Sequence, residues 1–351
     1  MNINMMHSLR PGRPQRVIAL HCSGAGASQW RPLADAFGSR YEVLAPEHYG
    51  CESSGPWTGE HAFTLADEAA RAIALIDQSE EKVDLVGHSY GGGVALHVAL
   101  ARPDRIASMA LYEPSAFHLL RQMGAAGAEA YAEIAGVARR VRQSVVTGDY
   151  RGGVAAFVDY WNGPGAWKAM RPDVQTALIR WAPKGPLEFR ALINNPTPAR
   201  AYRALKFPVL ILRGEHAPMP SRMIAEQLLA LLANSWLMVV DCAGHMGPLT
   251  HALEVSRLIV EHIAAVRLNE SFAPMEATHL GTLVRDTEDD LALVECFRGR
   301  DSLCVIEPAC VLKTALQQAL RAFLEALDGY TIADLLTPSR RLARLLALPQ
   351  T

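Results

Sequence analysis

Short apolar runs of strand length alternate with helically spaced segments over the first 115 or so residues, and no other feature of the chain restricts its fold as strongly. RVIALHC (16–22), YEVLAPE (41–47), KVDLVGHS (82–89) and IASMALYEP (106–114) read as strands. Between them, residues 65–78 and 92–102 repeat apolar side chains at the spacing of a helix face. Strands that are apolar throughout, with helices between them, predict a mostly parallel sheet with helices on both faces. From about 115 to 205 the strand pattern stops, and helical segments follow, broken at Asn162-Gly-Pro-Gly and Pro183-Lys-Gly-Pro. It resumes at FPVLILRGE (207–215) and SWLMVVDCAGH (235–245), before a helix at 251–267. The expected organisation is an α/β core of residues 1–114 and 206–268, an all-helical cap at 115–205, and a small, mainly helical appendage at 269–351.

The 351 residues are half apolar and carry a net charge of −2, which leaves no global attraction for nucleic acid or an anionic membrane. The apolar run from Val17 to Leu20 is too short for a signal-peptide core or a membrane span, and no other segment is long enough. A cytoplasmic protein without a membrane partner is expected. Six cysteines in a chain of this size do not suggest a disulfide scaffold, but three of them, Cys296, Cys304 and Cys310, fall close together.

Gly87-His88-Ser89-Tyr90-Gly91 is a G-x-S-x-G sequence at the end of one expected strand and the start of the next helix. A serine on such a turn has a strained backbone and stands exposed above the sheet, which is the arrangement of a nucleophile. Small residues two before and two after it avoid its side chain. The helix N-terminus behind it favours developing negative charge. Ser89 is therefore the candidate nucleophile.

A serine hydroxyl attacks at neutral pH only with a base beside it. His245, in the glycine-flanked loop after the last expected strand, is the candidate base, with His216 and His251 as competitors. His88 is expected to pack beneath the elbow. A tetrahedral intermediate needs two amide donors. The backbone of Tyr90, just after the nucleophile, and that of Ser23, in the loop His21-Cys-Ser-Gly-Ala-Gly, are the candidates for this oxyanion hole.

LHCSGAGASQWRPLADAF (20–37), APEHYG (45–50), GHSYGG (87–92) and AGHMGPLTH (243–251) together resemble the α/β-hydrolase superfamily, in its capped esterase and hydrolase branch. The resemblance covers about residues 15–268. It implies the α/β-hydrolase fold, hydrolysis without a cofactor, and a triad in the chain order serine, acid, histidine. In most members the acid follows the strand at 208–214, but Ala217 stands at the expected aspartate position here. Three readings compete: Glu113, at the end of the preceding strand; Glu215, two residues before the usual place; or no acid at all. Glu113 is preferred, because some members carry the acid there and a carboxylate between an apolar strand and Pro114 otherwise has no evident task.

Phe117, Leu119, Leu120, Tyr131, Phe157, Tyr160, Trp161, Trp167, Trp181 and Phe189 give the cap an apolar and aromatic character. Any one of them is better read as cap core, but together they suggest an enclosed apolar pocket. The expected substrate is a small to medium hydrophobic ester, lactone or related carbonyl compound. No basic cluster stands out in the sequence as an anion clamp.

Three thiolates on a short loop can hold an iron–sulfur cluster with a fourth ligand from elsewhere. The helix at 311–327 sets Leu316, Leu320, Phe323 and Leu327 on one face and ends at Asp328-Gly329. LVECF, the cysteine loop and ALRAFLEALDGYTIADL resemble the C-terminal half of the NsrR-type nitric-oxide-sensing repressors over about 55 residues. That resemblance implies Cys296, Cys304 and Cys310 as cluster ligands and a homodimer through the 311–327 helix. The family's DNA-reading winged helix, with its extra cluster ligand, is absent, and the spacing from Cys296 to Cys304 is longer than the family's. Residues 269–351 carry 8 Lys/Arg and 12 Asp/Glu, a net charge of −4, so no nucleic-acid partner is expected. Three readings stand for this tail: a working cluster or redox sensor, a dimerisation module with relic cysteines, or a fusion without function. The leading function is a serine hydrolase, and its rival is a non-catalytic, redox- or nitric-oxide-responsive fusion with a degenerate hydrolase domain.

Overall fold

The computed structural model describes residues 14–51, 53–276, 280–287 and 310–330. The chain divides into two compact units, Met1–Val266 and Arg267–Thr351.

In the first unit, β1 (Gln15–Leu20), β2 (Tyr41–Leu44), β3 (Val83–His88), β4 (Ile106–Tyr112), β5 (Val209–Gly214) and β6 (Ser235–Val240) form one sheet. Its order is β2-β1-β3-β4-β5-β6, and every pairing is parallel. This is the α/β-hydrolase architecture. Each residue of β3 and β4 is buried, which explains why these strands read as unbroken apolar runs. The helices of the core are α1 (Arg31–Phe37), α2 (Leu65–Asp77), α3 (Tyr90–Ala101) and, later in the chain, those that follow β5 and β6. Alternate residues of β1 serve opposite layers. Ile18 and Leu20 pack with Ile76, Val94 and Leu96 of α2 and α3, while Val17 and Ala19 pack with Leu33, Phe37 and Ile259.

Local chemistry sets the helix ends. Thr64 and Asp67 form a reciprocal capping box at the start of α2, which anchors the first turn. Between β4 and β5 lie the helices expected to form the cap: α4 (His118–Gln122), α5 (Ala128–Thr147), α6 (Tyr150–Asn162), α7 (Ala166–Ala169), α8 (Pro172–Trp181) and α9 (Gly185–Ile193). Helix α5 stops at Gly148, whose φ of 76° suits glycine, and Asp149 then caps α6 through the amide of Gly152. The unit is completed by α10 (Met219–Leu231), α11 (Gly247–Thr250) and the part of α12 (Ala252–Glu276) up to Val266.

Chain order decides where the site lies. After β2 forms beside β1 at one edge, the chain crosses to β3 on the other side of β1, so the loops leaving β1 and β3 diverge above the sheet. Such a switch point, at the carboxyl ends of the strands, opens a natural crevice.

In the second unit the described residues form the end of α12, α13 (Leu280–Thr287) and α14 (Val311–Asp328). Arg285 pairs with Asp328 through two bonds, of 2.9 and 2.6 Å, and the Leu280 amide donates to the Tyr330 carbonyl. The two helices approach closely at Gly281, where a Cβ would lie 2.7 Å from the Leu324 carbonyl oxygen. Leu324 is buried, Leu316, Leu320 and Leu327 are half-buried, and Phe323 is exposed. Cys296 and Cys304 lie outside the described residues; Cys310 immediately precedes α14 and is half-buried.

Candidate active site

Ser89 sits between β3 and α3 with φ 52° and ψ −117°, a conformation that costs roughly 1–3 kcal/mol for a non-glycine residue. The turn holds it there: its amide donates to the Tyr112 carbonyl and its own carbonyl accepts from Gly93 and Ser115. Glycine is needed at both flanking positions, though for a different reason from side-chain avoidance. A Cβ on Gly91 would lie 2.2 Å from the Leu20 carbonyl oxygen, and one on Gly87 would lie 2.7 Å from the Gly92 Cα. The elbow must press against the backbone of β1.

The three separated loops converge on one another. Ser89 Oγ lies 2.9 Å from His245 Nε2, and His245 Nδ1 lies 2.7 Å from Glu113 Oε2. A carboxylate only accepts, so Nδ1 carries the imidazole proton and Nε2 is free to accept from the serine hydroxyl. Glu113 Oε1 takes the Gly214 amide at 3.0 Å. All three side chains are buried. Glu113 and Cys242, in the histidine loop, join Ser89 as the non-glycine residues of positive φ among those described, so the strain of that kind in the described residues concentrates here.

Glu215, by contrast, is exposed and accepts from the Cys242 amide. His216 is exposed and His251 pairs with the Thr250 hydroxyl; neither touches Ser89 among the described contacts.

His88 does lie beneath the elbow, and it has a task. Its Nε2 donates to the His245 carbonyl at 2.9 Å, so its Nδ1 accepts from Gln29 Nε2 at 3.1 Å. Gln29 Oε1 in turn accepts from the Cys22 amide. This buried relay ties the loop after β1 to the histidine loop. It requires neutral His88, and burial followed by the nearby His245 holds the ring well below its ordinary pKa. Gln29 carried no motif that would have marked it.

Ser23, Ser89, Ser115, Phe117, Phe157, Trp161, Glu188, Phe189 and Leu192 surround a pocket of about 10 Å³, room for about one water molecule. Of the aromatics between residues 115 and 205, Phe117, Phe157, Trp161 and Phe189 thus line the pocket at the nucleophile, while Trp167 and Trp181 are buried without lining it. Outside it, Trp161 and His245 also line a cleft of about 560 Å³ with Glu133, Tyr160, His216 and Cys242. Ser115 Oγ, 3.3 Å from Ser89 Oγ, and Glu188 are polar neighbours that the sequence reading did not single out. Helices α5 and α9 also gather Arg139, Arg142 and Arg190 around another cleft, a basic cluster hidden by their separation in sequence.

A family model described as "Alpha/beta hydrolase family" matches residues 17–258, more than half of the chain. The chain belongs to that family. Over 105 residues the chain is 34% identical to Lipase LipV of Mycobacterium tuberculosis, covering 30% of this chain and 39% of the lipase. The crystal structure of the enol-lactonase from Burkholderia xenovorans LB400 shares the fold at a TM-score of 0.55 and 17% identity, covering 73% of this chain and 93% of that one.

A second family model, "Iron-dependent Transcriptional regulator", matches residues 272–338. Over 67 residues the chain is 51% identical to the HTH-type transcriptional regulator NsrR of Geobacillus kaustophilus, covering 19% of this chain and 46% of the regulator. The chain spans about half the length of the first of the curated relatives it matches. These matches overturn the expectation that nucleic acid is no partner. That expectation rested on the missing winged helix and the net charge of −4 on residues 269–351. Net charge averages over a whole segment, whereas a few local side chains are enough for backbone contacts.

Among the described residues, no group of three His, Cys, Asp or Glu is placed to hold a metal ion, and no helix is long and apolar enough to cross a membrane.

Proposed function

We propose that the hydrolase-family unit is a cofactor-independent serine hydrolase acting on small to medium hydrophobic esters, lactones or related carbonyl compounds. The observation that carries this reading is the hydrogen-bonded chain Ser89–His245–Glu113. His245 Nε2 takes the Ser89 proton as Oγ attacks the substrate carbonyl carbon. The carbonyl π bond becomes an oxyanion, stabilised by the amides of Ser23 and Tyr90. His245 then returns the proton to the leaving oxygen, which departs and leaves an acyl-enzyme. Water, deprotonated by the same ring, releases the acid and restores Ser89. Glu113 keeps the proton on Nδ1 and offsets the imidazolium charge as it forms. The four aromatic walls of the pocket and the lipase and lactonase among the relatives support an apolar carbonyl substrate.

Fluorophosphonate labelling tests this: wild-type protein becomes labelled on Ser89 and the Ser89→Ala variant does not. Unlabelled wild type, or a labelled Ser89→Ala variant, rejects the reading.

For the second unit, the regulator match supports Cys296, Cys304 and Cys310 as iron–sulfur ligands and nucleic acid as a partner class. No step of the hydrolysis depends on that group. Cys22, Cys51 and Cys242 are free thiols, which supports a reducing, cytoplasmic setting.

A further inference from the structure

The loop that carries Ser23 is held from the core side by Gln29 and from the cap side by a buried carboxylate that the hydrolytic steps never use. Glu188, on α9, is 3% exposed. Its Oε2 accepts from Ser23 Oγ at 2.5 Å, and its Oε1 accepts from the Trp181 indole N–H at 3.0 Å. One turn earlier, Lys184 places Nζ 3.8 Å from the same carboxylate, donates to Tyr49 O at 2.9 Å and bonds Glu68 on α2. Glu68 also accepts from the Tyr90 hydroxyl, beside the nucleophile. The next residue of the loop, Gly24, has φ +69°, and a Cβ there would lie 2.6 Å from Leu178 Cδ2 of α8. Four cap residues, Leu178, Trp181, Lys184 and Glu188, thus meet the core at the two segments that would supply the oxyanion donors.

A buried carboxylate is costly to keep, and burial pushes the Glu188 carboxyl above its ordinary range, with Lys184, Ser23 and Trp181 opposing. Phe189, the next residue, already supplies apolar pocket wall. Beyond its contacts with Trp181 and Lys184, the Glu188 side chain adds a fixed acceptor for Ser23. Because Oγ and the amide of Ser23 belong to one residue, fixing the hydroxyl limits where the amide can point.

We propose that Glu188 is a positioning residue that locks the Ser23 amide into the oxyanion-binding position when the cap is seated, so that cap seating and completion of the oxyanion hole are one event. This rests on the reading of Ser23 as an oxyanion donor. Small misplacements of a preorganised group cost up to about 100-fold in rate, and the loss falls on kcat, because the oxyanion exists only in the transition state and intermediate.

The test compares wild type, Ser23→Ala, Glu188→Leu, Glu188→Gln and the double variant Ser23→Ala/Glu188→Leu, all in the full chain. The readouts are fluorophosphonate inactivation rate and p-nitrophenyl acetate kinetics. Ser23→Ala keeps the amide but removes the bond. Ser23→Ala and Glu188→Leu each lower kcat by about 10–100-fold with KM changed less than about twofold; the double variant is no slower than Glu188→Leu, and Glu188→Gln, which keeps an acceptor, recovers most of the rate. Additive losses overturn the proposal, and so does a raised KM with normal kcat, which would make Glu188 a substrate contact. If Glu188→Leu does not fold, Ser23→Ala alone decides, because a normal kcat in that variant also overturns it. Unlabelled wild type defeats the hydrolase reading itself; labelled wild type with a normal Ser23→Ala defeats only this inference.

Discussion

The indole of Trp161 lies stacked on the imidazole of His245, with ring centroids 3.9 Å apart and planes inclined by 27°. Trp161 lines both the water-sized pocket at Ser89 and the outer cleft, so its side chain forms the wall between them. The pocket at Ser89 has room for about one water molecule, so an acyl group needs its lining side chains to move.

Trp161→Ala should therefore join the two spaces. The expected outcome is a several-fold rise in labelling by a bulky fluorophosphonate relative to a small one, read from paired inactivation rates. Stability should fall by about 3–5 kcal/mol, since a buried aromatic ring is removed, which denaturant unfolding measures. An unchanged bulky-to-small ratio would refute the wall.

Glu113→Gln should lower turnover by about 10⁴-fold without unfolding, because an amide can present its NH₂ to Nδ1 and stabilise the wrong tautomer. Glu215→Gln should leave turnover within a few-fold of wild type, since that carboxylate accepts from the Cys242 amide rather than from His245. Ester turnover and thermal melts of the two variants check this, and the reverse pattern would transfer the acid role to Glu215.

Glu68 and Lys184 form a buried ion pair whose two side chains are almost inaccessible. Burial alone would raise the Glu68 carboxyl, but His48 and Lys184 outweigh it and hold the group well below the usual carboxylate range. A depressed carboxylate contributes stability above its unfolded pKa, near pH 4–5, and loses it as pH falls through the lower folded value. Lys184→Met should cost up to about 3–5 kcal/mol at neutral pH by removing the buried cation that faces both Glu68 and Glu188. Glu68→Gln/Lys184→Met should cost less than Lys184→Met alone. Urea unfolding at pH 7 and pH 4 measures both effects, and acid should narrow the gap between wild type and Lys184→Met.

Anaerobic purification followed by an absorption spectrum and iron count should show a cluster lost in Cys304→Ala. A colourless, iron-free protein would reject the cluster reading of Cys296, Cys304 and Cys310 while leaving the serine chemistry untouched.

Much of the fold is legible locally. A strand or helix announces itself by the period of its own side chains, and the six strands lie where the apolar runs are. The elbow is also local, because Gly87, Ser89 and Gly91 must share one turn. The partners of Ser89 are a different matter. Glu113 and Glu215 follow adjacent strands, and sequence supplies arguments for each; the pairing of β4 with β5 and the left-handed turn at Glu113 decide which carboxylate reaches His245. Gln29, Ser115, Glu188 and the stack of Trp161 on His245 join positions dozens of residues or more from their partners. Periodicity and turn chemistry act over a few residues and therefore show in the sequence. Buried hydrogen bonds across loops depend on how whole layers pack, and only the tertiary structure could determine them.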